Sequence, residues 1–400
     1  MVDLDPENTQ PATDGVTADA AGTEERVFAA PGEARGGVVV AMSGGVDSSV
    51  AAALLSRDGH DVVGVTLRLW CDGSGGAGAK GPGQRCTAID DAKAVADRLG
   101  IPHVVLHCGL AFERHVAQYF IAAYRRGETP NPCVPCNARL KFGALLDAAR
   151  DWGATALATG HYARVEYHEA TRRHRLCRAV DRRKDQSYFL YALDQHQLAA
   201  ARFPLGLLAK RDTRRLARDF GLPVAEKAES QQVCFAAGDY RAFLRERLGP
   251  ALVPGTIRGV DGTPRGRHAG LPLYTVGQRH GLGLGNPRPL YVVELDPVTN
   301  EVIVGEDSDL WTREVEVEAL NFIAVDGLSA PTRVRAKIRY AHEAQSATAT
   351  PLSADRLRLT FDEPQRAVAP GQAAVLYDHV EPDLVVGGGT IRRSDREAIL

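Results

Sequence analysis

Residues 38–49 read Val-Val-Val-Ala-Met-Ser-Gly-Gly-Val-Asp-Ser-Ser. The apolar run at Val38 to Val40 predicts a short buried strand, and the residues from Ser48 to Arg57 predict a helix. Glycines between a buried strand and a helix let backbone N–H groups turn inward around an anion, and the helix N-terminus adds its positive dipole end. The stretch therefore predicts a phosphate-binding loop.

Two common nucleotide-binding loops are excluded by the residues present. The stretch lacks the lysine of the Walker A pattern, and it does not match the GxGxxG pattern of dinucleotide-binding domains. Without a lysine aimed at the γ-phosphate, the loop suits pyrophosphate as a leaving group, with Asp47 placed to help bind Mg²⁺. The alternative is a glycine turn before an ordinary helix.

Strands and helices alternate outward from this loop. Gly59 ends the first helix, and a Gly-rich stretch at 72–84 predicts a mobile surface loop. The further elements are predicted as strand 62–69, helix 87–99, strand 102–107, helices 112–125 and 138–152, strand 154–159, and helices 210–220 and 239–247. This alternation predicts a doubly wound α/β domain around a parallel sheet.

The composition changes after Val253. Helix periodicity ends, and short apolar runs such as 290–295 and 301–304 are separated by Gly, Pro and Asn, which is typical of all-β structure. The first 35 residues have no periodic apolar positions and predict a disordered tail. The predicted domains are a tail at 1–35, an α/β domain at 36–252, a small β domain at 253–310 and a β-barrel domain at 311–400.

Length and composition limit the class of protein. The chain has 400 residues, 44% of them hydrophobic, which is enough for more than one packed core. No apolar run approaches the roughly 20 residues needed to span a bilayer, and the acidic N-terminus lacks the pattern of a secretory signal. We therefore expect a cytoplasmic protein. The seven cysteines are irregularly spaced, so the sequence indicates no disulfide scaffold and leaves room for reactive thiols.

The net charge of −2 gives no general indication of nucleic-acid binding. Any such site must be a local basic patch. One candidate runs from Arg164 to Lys184, where basic residues outnumber acidic ones. A second alternates with apolar residues and would share one face of a strand: Arg333, Arg335, Lys337 and Arg339. Either patch could instead be an ordinary solvated surface.

Two cysteines lie in the Pro-rich stretch Thr129-Pro-Asn-Pro-Cys-Val-Pro-Cys-Asn137. A helix is predicted to begin near Asn137, which would place Cys136 at its start. There the helix dipole and the nearby Arg139 and Lys141 should favour the thiolate. The Cys-x-x-Cys spacing leaves half a zinc site or a redox pair open as alternatives.

The other five cysteines are less distinctive. Cys234 lies between two helical segments, and this position by itself favours a buried core cysteine. The remaining four are interpreted as structural: Cys71, Cys86, Cys108 and Cys177.

The glycine loop resembles that of the PP-loop ATP pyrophosphatases, which cleave ATP between the α- and β-phosphates and adenylate an oxygen. Beyond the tail, the chain resembles the tRNA-specific 2-thiouridylase family, because several motifs occur in that family's order. They are AMSGGVDSSV, TPNPCVPCNARLKFG, ATGHYAR, KDQSYFL, ESQQVCF, YTVGQRHGLG, and APGQAAVLYD with GGGTI. The resemblance implies an adenine nucleotide alpha hydrolase-like fold, with ATP and Mg²⁺ as cofactors.

The resemblance also assigns residues. It implies that Cys136 is the nucleophile, that Cys234 carries a persulfide, and that the two form a transient disulfide. ATP would contact Ala41, Met42, Ser43, Gly44, Gly45, Val46, Asp47, Ser48, Leu67 and Gly160. The target base would contact Asn131, Pro132 and Cys133, and the rest of the tRNA would contact Lys184, Asp185, Gln186, Arg339 and Tyr340. The chain departs from the usual pattern at Cys133, where the family commonly has Asp, and at Gln231-Gln232 and Ala341-His342.

By this resemblance, the chain is a tRNA-uridine 2-sulfurtransferase that replaces the C2 oxygen of the wobble uridine by sulfur and releases AMP and pyrophosphate. Its partners would be tRNAs with uridine at the wobble position, such as those for Lys, Glu and Gln. A cysteine desulfurase or sulfur-relay protein would donate the sulfur. Two rival hypotheses stay open: an amide-forming ligase of the same superfamily, and a non-catalytic tRNA-binding or redox protein.

Overall fold

A computed structural model of the chain describes residues 36–69, 87–228, 234–235, 239–285 and 288–393. The predicted tail, the predicted Gly-rich loop and the departure at Gln231-Gln232 lie outside these residues, as do Cys71 and Cys86. Within these ranges, every helix is too short or too polar to traverse a lipid bilayer.

The N-terminal domain is built on a parallel sheet. Its strands are β1 (Val38–Ala41), β2 (Val62–Arg68), β3 (His103–His107), β4 (Ala156–Thr159) and β7 (Ala201–Arg202), in the order β3-β2-β1-β4-β7. Because successive side chains on a strand point to opposite faces, Val39 joins the core on one face while Val38 and Val40 join the core on the other. Both faces are covered, which confirms the predicted doubly wound α/β fold.

Helices cover the two faces of this sheet. The α-helices of the described residues are α1 (Val46–Arg57), α2 (Thr87–Leu99), α3 (Gly109–Phe112), α4 (Gln118–Arg125), α5 (Cys133–Pro135), α6 (Leu146–Asp151), α7 (Gln195–Ala200), α8 (Lys210–Asp219) and α9 (Tyr240–Leu248). Helices α1, α2 and α8 pack on one face of the sheet, and α6 and α7 pack on the other. Short 3-10 turns occur at Ser187–Phe189, Gly249–Ala251, Leu271–Leu273 and Asp307–Leu310.

Two segments that the sequence predicts as regular helices contain π-helical stretches. Glu113–Ala117 separates α3 from α4, and Cys136–Leu145 separates α5 from α6. A π-helix has a wider turn with i→i+5 hydrogen bonds, and such stretches often occur at functional sites. The wider turn brings Lys141 to the side of the helix on which Cys136 lies, whereas an α-helix would turn it away.

The middle domain is a small sheet packed on helices of the first domain. Its strands are β8 (Gly255–Gly259), β9 (Pro264–His268), β10 (Tyr291–Asp296) and β11 (Glu301–Gly305), in the order β10-β11-β8-β9. Strands β8 and β11 run parallel, and the other pairs are antiparallel. Ile257 and Val292 share a core with Phe120 of α4 and Phe243 of α9, so this sheet is fixed to the helical side of the α/β domain.

The C-terminal domain is a closed barrel, as predicted. Its strands are β12 (Trp311–Phe322), β13 (Thr332–Lys337), β14 (Gln345–Ser353), β15 (Arg356–Arg366), β16 (Ala373–Asp378) and β17 (Val385–Ile391), in the order β12-β15-β14-β13-β16-β17. Closure leaves no free sheet edge. Val375, Tyr377 and Val385 on the outside of the barrel join the core of the α/β domain, so the two domains share buried surface.

The contact between the barrel and the α/β domain predicts the effect of one substitution. A Cβ at Gly388 would lie 2.6 Å from Cδ2 of Tyr191 and 2.7 Å from the carbonyl oxygen of Ala374. Gly388→Ala should lower the apparent free energy of unfolding, measured in urea, by about 1–3 kcal/mol because overpacking displaces neighbouring atoms. Gly327→Ala is the matched control, because its Cβ would have nothing within 4 Å. Equal stability of the two variants would contradict this packing.

Candidate active site

The glycine loop connects β1 to α1. The helix begins at Val46 rather than at Ser48, so Gly45 is its N-cap, and the N–H groups of the first turn have no acceptor within the helix. The Ser48 and Ser49 hydroxyls donate to the carbonyl oxygen of Gly45 at 3.2 and 2.8 Å. The N–H of Ser43 donates to Oγ of Ser48 at 3.1 Å. These bonds hold the loop in a turn that exposes N–H groups suited to a phosphate.

The other residues assigned to ATP lie beside this loop. A Cβ on Gly160, just after β4, would lie 2.5 Å from the backbone nitrogen of Ser48, so any side chain would crowd the N-terminus of α1. Leu67, near the end of β2, is partly buried and packs against two cores of the domain. The structure thus gathers these residues at the C-terminal edge of the parallel sheet, where doubly wound domains bind ligands.

Asp47 is paired with a lysine that no sequence motif pointed to. The Nζ of Lys210, at the start of α8, lies 2.6 and 2.7 Å from the two carboxylate oxygens of Asp47. The hydroxyl of Tyr162 donates to Asp47 Oδ1 at 3.0 Å. The glycine loop therefore has a cation beside it, although its own motif contains none. The two partners are 163 positions apart, so no local signal could have linked them.

The donor set of Asp47 suits Mg²⁺ in part. Carboxylate oxygens are ligands that Mg²⁺ prefers, and the Asp47 side chain is 34% exposed. Both oxygens contact Lys210, so a metal ion would have to displace its ammonium group. Among the described residues, no three His, Cys, Asp or Glu side chains are grouped to hold a metal ion, which leaves the zinc alternative without support there.

The helix that carries Cys136 begins earlier than predicted. It starts at Cys133, whose N–H donates to Oδ1 of Asn131 at 3.1 Å. The N–H of Cys136 donates to the carbonyl oxygen of Pro132 at 3.2 Å, inside the helical turn. The prediction that Cys136 lies at the helix start is therefore wrong, because the helical turn already begins at Cys133 and includes the N–H of Cys136.

The two cysteines assigned to sulfur chemistry share one site. Cys136 is partly buried and packs against the core that contains Phe235, the residue after Cys234. Cys234 itself is exposed, so the interpretation of it as a buried core cysteine is wrong. Cys133 is also exposed; Cys136 contributes to the raised pKa of Cys133, and both contribute to the raised pKa of Cys234.

The surroundings of Cys234 disfavour its thiolate. Although its side chain reaches solvent, protein atoms around it displace enough water to raise the pKa of Cys234 to about 12, and Cys136 and Cys133 add to the rise. Partial desolvation raises the pKa of Cys133 as well. Lys141 opposes both shifts, and its Nζ is held 2.9 Å from Oδ1 of Asn137. Lys141 is thus a cation that acts on this group of thiols.

Lys141 also acts on His161, which lies next to Gly160 near the glycine loop. His161 follows Gly160, and its Nδ1 lies 2.7 Å from Oγ1 of Thr159. Burial, with a further contribution from Lys141, lowers the pKa of His161 well below its usual range. An uncharged imidazole therefore lies between the end of β4 and Lys141 at neutral pH.

Two cysteines interpreted as structural have other surroundings. Cys177 is buried, and its thiol donates to Oε1 of Glu166 at 3.1 Å. Cys108 is partly buried between two cores. Neither is among the main causes of the pKa shifts of Cys133 and Cys234.

Most of the first basic patch forms a domain contact. It contains the hairpin of β5 (Ala163–His168) and β6 (Arg173–Arg178), which lies against the barrel. The arginines pair with carboxylates there: Arg164 and Arg182 with Asp383, Arg173 with Asp326, and Arg175 with Glu381. Since these charges are partly neutralised, the stretch is not the open basic surface that its composition suggested.

The second basic patch is only partly as predicted. Arg333, Arg335 and Lys337 alternate with Val334 and Ala336 of the barrel core, so they point to the outside of β13. The strand ends at Lys337, which leaves Arg339 outside it; the guanidinium of Arg339 donates to the carbonyl oxygens of Arg366 and Ala367.

The segments assigned to tRNA meet at the boundary between the α/β domain and the barrel. The rings of Phe189 and Tyr340 lie 4.4 Å apart, and Nζ of Lys337 lies 5.3 Å from the Tyr340 ring centroid. Tyr340 is 38% exposed. An exposed aromatic ring beside basic side chains is a surface on which an unpaired base can stack.

Asp185 and Gln186 hold this segment in place. Asp185 is buried, and its carboxylate accepts hydrogen bonds from the N–H groups of Ala179 and Ser187 at 3.1 and 3.2 Å. Burial raises the pKa of Asp185, while these bonds and Lys337 oppose the rise. Oε1 of Gln186 accepts from the N–H of Tyr162 at 3.0 Å. Direct contact between the Asp185 side chain and tRNA stays a prediction that its burial does not favour.

Comparison with known proteins agrees with this architecture. Three family models match in order: the tRNA methyl transferase HUP domain at 36–238, the tRNA methyl transferase PRC-barrel domain at 241–306, and the aminomethyltransferase beta-barrel domain at 312–391. With the parallel sheet and the glycine loop, these matches define the class as PP-loop nucleotide-binding proteins with two appended β domains. "tRNA-specific 2-thiouridylase MnmA" of Moorella thermoacetica is 51% identical over 358 residues, covering 88% of this chain and 98% of the relative. The chain belongs to the tRNA-specific 2-thiouridylase family.

Further relatives carry the same name. The protein of Pelotomaculum thermopropionicum is 48% identical over 357 residues, covering 88% of this chain and 96% of the relative. Among solved structures, "Crystal structure of a 4-thiouridine synthetase - RNA complex with bound ATP" shares 17% identity at a TM-score of 0.33, covering 51% of this chain and 45% of that chain. That similarity is too weak to carry an argument.

The raised pKa of Cys234 predicts how its reactivity depends on pH. Iodoacetamide reacts with the thiolate, so labelling of Cys234 should keep rising with pH beyond about 8.5, the ordinary cysteine pKa, instead of levelling off there. Lys141→Met should slow labelling several-fold at a fixed pH, because the lysine lowers the pKa of Cys234. Peptide mass spectrometry gives the rate at each cysteine.

The control is Arg139→Met, since Arg139 is exposed on the same helix and, unlike Lys141, is not among the main causes of the Cys234 pKa shift. It should label like the unmodified protein. A plateau near pH 8.5, or the same rate in both variants, would contradict the proposed environment of Cys234.

Proposed function

We propose that this protein replaces the C2 oxygen of the wobble uridine of tRNA by sulfur, with ATP as the activating agent. The observation that carries the proposal is that Cys136 packs against the core containing Phe235, the neighbour of Cys234, in the same domain as a phosphate-binding loop. Lys141 acts both on Cys234 and on His161, which follows Gly160 at that loop. The relatives' name, tRNA-specific 2-thiouridylase, supports the same reaction.

The chemistry requires activation before sulfur can enter. A carbonyl oxygen is a very poor leaving group, whereas AMP is a good one. Attack of the uridine O2 on the α-phosphate of ATP forms an O–P bond and releases pyrophosphate. The N–H groups at the start of α1 and the ammonium of Lys210 would stabilise the departing negative charge.

Asp47 is the residue that would hold Mg²⁺, together with phosphate oxygens of the nucleotide. When bound, the metal ion neutralises charge on the pyrophosphate. Asp47 would then release the ammonium of Lys210, which lies 2.6 Å away and would pair with a phosphate oxygen.

Sulfur transfer would use both cysteines. The terminal sulfur of a Cys234 persulfide attacks C2, and the C2–O bond breaks to release AMP. The Cys136 thiolate then attacks the inner sulfur of Cys234, so that the S–S bond breaks, the second sulfur stays on uridine, and a Cys136–Cys234 disulfide forms. Alternatively, Cys136 attacks first and releases hydrosulfide, which attacks C2. Either route requires a two-electron reductant before the next cycle, which suits the cytoplasm.

A sulfur donor and a tRNA are the partners that this scheme requires. Loading would transfer the outer sulfur of another protein's persulfide, such as that of a cysteine desulfurase or a relay protein, to Cys234, whose thiol must lose its proton to attack that sulfur while the donor leaves as a thiol. The tRNA would lie across the surface around Tyr340, whose ring lies against the buried Lys337, with the wobble uridine flipped toward Asn131 and Cys133. Substrates would include the tRNAs for Lys, Glu and Gln.

The cysteine pair distinguishes this proposal from its rivals. An amide-forming ligase would use the glycine loop but would leave the pair without a role. Cys136→Ser and Cys234→Ser should each abolish 2-thiouridine formation, measured by nucleoside mass spectrometry after incubation with ATP, Mg²⁺, a persulfide source and tRNA. Cys177→Ser is the control, because Cys177 is buried and its thiol donates to Glu166, outside the proposed site, and it should keep activity.

Mild oxidation provides a second readout of the same pair. The unmodified protein should form a Cys136–Cys234 disulfide, detected as a linked peptide, and tRNA binding should survive in both serine variants. If trapping never yields the bond, the two-cysteine mechanism is wrong.

Loss of Asp47 should affect the first step alone. Asp47→Asn should reduce tRNA-dependent pyrophosphate release at least about a hundredfold, because the phosphate site would lose the carboxylate that is proposed to hold Mg²⁺. Asp58→Asn is the control, since Asp58 is exposed at the other end of α1. Pyrophosphate release at the normal rate in Asp47→Asn would remove this residue from the scheme.

A further inference from the structure

A second lysine from outside the glycine motif contacts the loop. The Nζ of Lys227 donates to the carbonyl oxygen of Gly44 at 2.9 Å and lies 2.5 Å from Oδ2 of Asp91 on α2. The backbone of Lys227 is fixed as well. Its N–H donates to the carbonyl oxygen of Val224 at 2.9 Å, and its own carbonyl oxygen accepts from both terminal nitrogens of Arg214 at 3.3 Å.

The contact with Gly44 determines how one peptide of the loop is oriented. A trans peptide is planar, so its C=O and N–H point in opposite directions. Because the carbonyl of Gly44 points to Lys227, the N–H of Gly45 points away from that lysine. Gly44 has φ +68°, and a Cβ there would lie 2.2 Å from the carbonyl oxygen of Ala88. The loop can therefore take this orientation only with glycine at this position.

The charge of Lys227 is already partnered. Its ammonium and the carboxylate of Asp91 are each somewhat more than one-third exposed, at 38% and 37%. Because the charge of Lys227 is paired with Asp91, the lysine acts on the loop mainly as a hydrogen-bond donor to the carbonyl oxygen of Gly44. By contrast, Lys210 pairs with Asp47, inside the motif itself.

We infer that Lys227 is a positioning residue for the phosphate site: it fixes the Gly44–Gly45 peptide so that the Gly45 N–H faces the pyrophosphate portion of ATP. Asp91 holds the lysine in that place. The inference rests on the proposed function only for the choice of ATP as the nucleotide.

The test compares three probes in binding measurements by calorimetry: ATP, inorganic pyrophosphate and AMP. In Lys227→Met, the Kd for ATP and for pyrophosphate should rise about tenfold, the usual effect of losing one hydrogen bond to a site group. The Kd for AMP should change less than about twofold, because AMP has no pyrophosphate to contact the loop. Lys227→Arg keeps a cationic donor and should restore most of the affinity.

A matched control removes a similar ion pair from the same segment. Arg218 pairs with Glu226 at 2.8 Å and does not contact the glycine loop, so Arg218→Met should bind all three probes like the unmodified protein. Thermal melting checks that each variant is folded, and Lys227→Gln, with the same expected selective loss, replaces Lys227→Met if the latter is not.

The outcomes separate the inference from the proposed function. Unchanged binding of ATP and pyrophosphate in the Lys227 variants would overturn the inference, and so would an equal loss for AMP, which indicates a general structural role. If the unmodified protein binds no ATP, both the proposed function and the inference fail. If the unmodified protein binds ATP normally and the variants do too, the inference alone fails.

Discussion

Unsatisfied N–H groups at the start of α1 are the constraint on which the rest of the site depends. A helix cannot satisfy the donors of its first turn by itself, and here the turn at Gly44 and Gly45 presents them at the edge of a parallel sheet. Two serine hydroxyls close the turn from within, and Lys227 holds it from outside. The nucleotide side of the protein is thus prepared by backbone geometry, with charged groups placed around it.

Two opposing effects set the pKa of Cys234: displacement of water by the surrounding protein raises it, and the positive charge of Lys141 lowers it. The π-helical stretch turns Lys141 toward the thiols, and the surrounding protein keeps Cys234 protonated in the resting state. A protonated thiol is a weak nucleophile, which protects it from adventitious oxidation. His161 stays uncharged at the junction of the two sides, so it adds no charge there to compete with Lys141.

The barrel is held to the α/β domain mainly by apolar packing, with ion pairs at the edge of the contact. Arginines of the β5–β6 hairpin meet carboxylates of the barrel, and Tyr377 and Val385 bury apolar surface against the α/β domain. Partly exposed ion pairs contribute little to stability, so the apolar contact is the main source of cohesion. This arrangement places Tyr340 beside Phe189 and so joins two segments from different domains into one surface.

The sequence by itself determined the glycine loop, the doubly wound domain, the change to β structure and the barrel, because strand and helix periodicity and turn chemistry are local properties. It also placed the site cysteines, although only through resemblance. The helix start at Cys133, the π-helical turn that carries Lys141, the exposure of Cys234 and the use of the hairpin arginines were decided by tertiary structure. So were the contacts of Lys210 with Asp47 and of Lys227 with Gly44, since each joins residues far apart in the chain, and only the packing of α8 and the segment after it against α1 and α2 brings them together.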